Sequence, residues 1–106
     1  MNDRLEQLQK LLAVDPNDAD ITYMIAMEHI KANDPSGASA GIDWLNKTLD
    51  LDPNYLYAYF QKAKAQSELG NDDQAKATLQ LGIQKAKSAL DSKAVSELSE
   101  LHQSME

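Results

Sequence analysis

Asp52-Pro53-Asn54 decides how this chain is read, because the same three residues stand 37 positions earlier as Asp15-Pro16-Asn17. The flanks match too. Leu8-Gln9-Lys10-Leu11-Leu12-Ala13-Val14 precedes the first copy and Leu45-Asn46-Lys47-Thr48-Leu49-Asp50-Leu51 the second. In both, Leu comes first, Lys two places later, and further apolar residues before Asp-Pro-Asn. After each copy the chain turns rich in Tyr, Ala and other apolar residues. A unit that returns at a spacing of roughly 20–50 residues is the signature of stacked supersecondary repeats.

Working outward from these turns, the apolar spacing predicts helices and no strands. Leu5, Leu8, Leu11 and Leu12 make one face of a short helix over residues 2–14, with Asp3 near its start. Pro16 ends it, since the residue before proline is pushed out of helical geometry. A second helix is predicted from about Asp18 or Asp20 to Ala32, apolar on several sides through Ile21, Tyr23, Met24, Ile25, Met27 and Ile30. Such a helix has neighbours on several sides. After the break at Asn33-Asp34-Pro35-Ser36-Gly37, a third helix is predicted over residues 36–51, with Ile42, Leu45 and Leu49 inward. A fourth follows over residues 55–69, stopped by Gly70. Ala75, Leu79, Gly82, Ile83, Ala86 and Leu90 give the fifth its period, and Asn71-Asp72-Asp73 its cap. Val95, Leu98, Leu101 and Met105 share one face of the tail, read as a sixth helix or a bent continuation of the fifth beyond Asp91-Ser92. Short loops make successive helices antiparallel.

Composition narrows the function. The 106 residues make one domain, 42% apolar and 25% charged, with four Gly and three Pro. A net charge of −7 opposes binding to nucleic-acid phosphate and to anionic lipid. Without cysteine there is no disulfide, thiol chemistry or cysteine-ligated zinc. The start, Met1-Asn2-Asp3-Arg4, does not read as a secretion signal, and no apolar run approaches a membrane span. Cytoplasm is the default expectation.

Antiparallel helix pairs joined by Pro turns resemble the tetratricopeptide repeat family, in particular a small bacterial-type two-repeat domain. Its pattern of roughly 34 residues carries a large residue, Leu-Gly and Tyr in the first helix, then Ala, Phe and a closing Pro in the second. Tyr59, Ala63, Ala75, Leu79 and Gly82 match, as does the turn Leu69-Gly70-Asn71-Asp72. Lys62, Gln66 and Lys87 depart from the usual Leu, Tyr and Pro. Upstream, Ile25-Ala26, His29, Gly41, Leu45 and Pro53 hold the corresponding places, with three extra residues assigned to the connecting loop. The resemblance implies an all-α fold: antiparallel helix-turn-helix repeats stacked as a short right-handed α-solenoid. It divides one domain into an N-terminal half repeat (2–16), repeats at 18–54 and 55–90, and a C-terminal capping helix (91–106).

Little in the chain suggests catalysis. Gly37-Ala38-Ser39-Ala40-Gly41 matches the G-x-S-x-G elbow, but that motif needs a strand-to-helix turn. Here it reads as a small-residue helix start. His29 and His102 lack metal-ligand spacing, with His29 read as an interface residue and His102 as solvated. No cofactor, metal or catalytic residue is expected. Asn46-Lys47-Thr48 is a sequon inside a predicted helix, and Trp44 reads as inter-helix packing. What remains is a surface. The resemblance implies a concave groove lined by the first helix of each pair, here Tyr23, Met24 and Met27, then Tyr57, Phe60, Gln61 and Lys64. Met27 and Lys64 replace the Asn of the family's carboxylate clamp. The alternative is that these side chains are simply core beneath a cap helix. The function expected is protein or peptide binding without catalysis. The second hypothesis is self-association through exposed repeat ends, giving a possible homodimer.

Overall fold

The computed structural model describes residues 3–106, and in them six helices and no strand: α1 (Asp3–Val14), α2 (Ala19–Ile30), α3 (Pro35–Leu51), α4 (Leu56–Glu68), α5 (Asp72–Ser88) and α6 (Ser92–Ser104). Of the first expected helix, residue 2 lies outside the described residues. The tail is a separate sixth helix.

Each break follows from local chemistry. Asp18 caps α2 by accepting from the amides of Asp20 and Ile21 at 2.9 and 3.3 Å. Asp34 caps α3 through the Gly37 amide, with Pro35 in the first turn. Asp91 caps α6 through the Ala94 amide at 3.0 Å. Asn71 is the N-cap residue of α5 by position, yet its side chain makes no capping bond. Three connections pass through a left-handed residue, Asn33, Gly70 and Leu90. Glycine meets that demand at no steric cost; leucine does not.

Successive helices pack together, and α6 also reaches back to α4. The odd helices therefore form one layer and the even helices the other. The molecule measures 38 × 29 × 18 Å, two helices thick, as expected when packed axes lie ~8–10 Å apart. Three buried clusters run along it. Leu8, Ile21 and Ile25 join α1 to α2; Ala26, Leu45 and Ala58 join α2, α3 and α4. Tyr59, Ala63, Ala75, Leu79, Ala86, Ala94 and Leu98 join α4, α5 and α6. Trp44 packs against the first two clusters, as an inter-helix residue should. Between α2 and α3 the hydroxyls of Thr22 and Thr48 are 2.8 Å apart and fully buried. Each also donates to, or shares its proton with, its own helix carbonyl, Ala19 and Trp44.

The three extra residues of the upstream pair are not in the loop. Connections 31–34 and 69–71 differ by one residue only. The contact of Thr22 with Thr48 corresponds to that of Tyr59 with Gly82, which aligns Gly41 with Ala75. The extra length is then a further N-terminal turn on α3. Gly37 and Gly41 are what let that turn lie on α2: a Cβ at Gly37 would overlap the His29 carbonyl oxygen, and one at Gly41 the Ile30 side chain.

Candidate partner-binding face

On the side of the even-numbered helices, α2 meets the start of α4 through tyrosines. Tyr23 of α2 stacks on Tyr55, the residue before α4, with ring centroids 4.9 Å apart and planes at 28°. The Tyr55 hydroxyl donates to Asp20 Oδ1 at 2.8 Å. The Gln61 side chain hydrogen-bonds the Tyr23 hydroxyl, and Tyr57 is close enough to influence it. Burial pushes the Tyr23 phenol above its ordinary range; the Gln61 bond pulls it down, and Tyr57 adds to the rise. Burial also drives the Tyr55 phenol up strongly, reinforced by its bond to Asp20 and by that carboxylate's charge. Both phenols thus stay protonated at neutral pH, as donors on an aromatic ledge beside one carboxylate.

Of the seven groove residues expected from the sequence, the structure brings Tyr23, Tyr57 and Gln61 together. Tyr57 is 48% exposed, unusual for so large an apolar ring, and Lys64 on the same helix is exposed. Met27 is half-buried. Met24 is engaged by α1: it packs on the Leu8–Ile25 cluster, and Arg4 Nη2 lies 3.8 Å from its sulfur. Arg4 continues across α2 to Glu28 at 3.3 Å. Phe60 packs on the C-terminal cluster, as do Leu101 of α6 and Met105 just beyond it. Met24 and Phe60 therefore turn from the ledge into the first and the last buried clusters. The alternative core reading thus describes these two and not Tyr57 or Lys64.

Sequence reasoning missed Asp20 and Tyr55. The signal was present in Tyr55, an aromatic residue at an N-cap position where Asp18 and Asp91 stand in the other two even helices. An aromatic ring gives no capping bond, so another role holds it there. His102 also differs from its solvated reading. Its Nδ1 is 3.7 Å from Glu106 Oε1, and its Nε2 is buried with no hydrogen-bond partner. Gly37–Gly41 lies in the first turns of α3, with Ser39 exposed, so the elbow's strand-to-helix turn is not what surrounds it. No helix of the described residues is long and apolar enough to cross a membrane, and among them no three His, Asp or Glu converge as metal ligands.

Comparison with known proteins places this geometry. The tetratricopeptide repeat family model matches residues 44–77, from mid-α3 into α5. A tetratricopeptide repeat domain protein from Salinibacter ruber, solved by NMR, is similar with 29% identity and a TM-score of 0.78, over 87% of this chain and 90% of that one. A crystal structure of a tetratricopeptide repeat domain protein from the same organism gives 27% identity and 0.73, over 83% and 96%. A protein from Bordetella parapertussis has the same fold at 22% identity, with a TM-score of 0.84 over 99% and 89%. No curated protein sequence matches the chain. Tetratricopeptide repeats generally mediate contacts between proteins and are generally non-catalytic.

Proposed function

Given that the chain is a tetratricopeptide repeat domain, we propose that it is a non-catalytic module that binds a protein or peptide along the concave face of α2 and α4. The observation that carries this reading is the ledge of Tyr23, Tyr55 and Gln61, with Tyr57 and Lys64 exposed beside it. Stacked and hydrogen-bonded tyrosines are already ordered, so a partner immobilises few side chains on docking. Aromatic surface with polar tips suits the centre of an interface. A polypeptide fits the charge better than nucleic acid, because the chain's net charge of −7 repels phosphate. A cytoplasmic setting belongs to the same reading, as does the division into a half repeat, two repeats and a capping helix.

The test is a cross-linking pull-down from native lysate with the wild-type chain and a Tyr57→Ala/Lys64→Ala variant. Both positions are exposed, so the melting temperature should stay within a few degrees while partner recovery falls at least about tenfold. Equal recovery by both chains would remove the proposed face.

A further inference from the structure

The two ends of the stack are complementary halves of the unit repeated inside it. Helix α1 repeats α3 at a step of 37 residues: Leu5, Leu8 and Leu12 correspond to Ile42, Leu45 and Leu49, and Leu11 to Thr48. Leu8 and Leu45 are both buried. Thr48 is buried as well, because its own partner helix α2 covers it through Thr22. Nothing described plays that part for α1, so Leu11 is 53% exposed and Val14, the counterpart of Leu51, 86%.

Helix α6 is the converse. It repeats α4 in length and cap, thirteen residues after Asp91 as α4 is thirteen after Tyr55. Helices α2 and α4 hold the following helix with Thr22 and Ala26, and with Tyr59, Ala63 and Gln66. In α6 those places belong to Val95, Ser99 and, for Gln66, His102. Gln66 accepts a hydrogen bond from Thr78 of the next helix at 2.7 Å. His102 takes that register position, and its Nε2 is already buried within the chain. Beside Val95, a hollow of about 430 Å³ opens between α5 and α6, lined by Ala86, Leu90, Ser92 and Ser96.

We infer that α6 of one copy packs against α1 of the next, completing a helix pair between chains and joining copies head to tail. The occupant of each end is a second copy, because the packing required is the one that α2 makes with α3 and α4 with α5. Val95 then meets Leu11, as Thr22 meets Thr48. Arg4 stands where Gly41 does, and it is held by Glu28. The contact is therefore closest at the Leu11–Val14 end of α1. Because different surfaces meet, the association is open-ended and does not stop at a dimer. Copies of charge −7 repel one another, so salt strengthens the contact.

Sedimentation of the 106-residue chain over a concentration series, at low and high salt, tests this. The wild type should grow past dimer with concentration, more so at high salt. Leu11→Glu blocks the α1 end and Ser99→Glu the α6 end. Each alone should weaken association at least about tenfold, the effect of forcing a carboxylate into the contact. An equimolar mixture should give a dimer and no more, since one intact end of each kind remains. Val14→Glu and Ser96→Glu, at exposed positions, repeat the experiment without touching the core. A wild type that stays monomeric, a single variant that associates as tightly as the wild type, or a mixture that associates no better than either variant alone would each overturn the inference.

Discussion

Lys62 is the residue whose identity fits its position least. Its counterparts are Ile25 in α2 and Leu98 in α6, both buried apolar side chains. Lys62 is half-buried over a hollow between α3 and α5, lined also by Asn46, Leu49, Asp50 and Thr78. Burial pulls its ammonium below the ordinary lysine range, and Asp50 offsets part of that. An ion at a hydrophobic register position is tolerated because the long stem lies along apolar surface while the head reaches water. Lys62→Leu should therefore raise stability by about 1 kcal/mol, the transfer of a half-buried aliphatic side chain, measured by urea unfolding. A lower midpoint would mean that the Asp50 attraction outweighs the burial. The Thr22–Thr48 pair is the opposite case: two polar residues fully buried because each satisfies the other.

Among the elements, the turns divide into two kinds. The Asp-Pro-Asn turns after α1 and α3 stop a helix by proline sterics and are legible at sight. The other three use a left-handed residue, and only Gly70 announces that conformation in advance. Leu90 pays the steric cost of positive φ with its side chain 91% exposed. Leu90→Gly should stabilise the α5–α6 connection by about 1 kcal/mol, seen as a higher thermal midpoint. An unchanged or lower midpoint would show that Leu90 contributes packing at that end. The extra turn of α3 is not legible in the sequence, because a length difference between repeats does not say where it is absorbed. Gly37 and Gly41, which let the added turn lie against α2, were the available hint.

At the scale of the molecule, stability is distributed along a row of neighbours, so no one contact dominates. Its pH response reflects this. Tyr23, Tyr55 and Tyr59 all have phenols raised above 10.0, chiefly by burial. Below about pH 10 both folded and unfolded phenols are protonated and contribute no slope. Above it the unfolded chain releases protons that the folded chain keeps, so stability falls as pH rises. Lys62, lowered on folding, works in the opposite sense but as a single group. The melting temperature should drop steadily above about pH 10, less steeply in Tyr55→Phe; equal slopes would mean that Tyr55 ionises alike in both states. The repeat, the helices, most of their ends and the all-α class were determined by sequence alone, because proline, glycine and apolar period act within a few residues along the chain. The tertiary structure alone decided how the expected surface residues are used: Met24 packs on the α1–α2 cluster, Phe60 on the C-terminal cluster, and Asp20 and Tyr55 join the ledge. Those outcomes depend on which helix lies alongside, a relation between residues some 35 positions apart that no local pattern encodes.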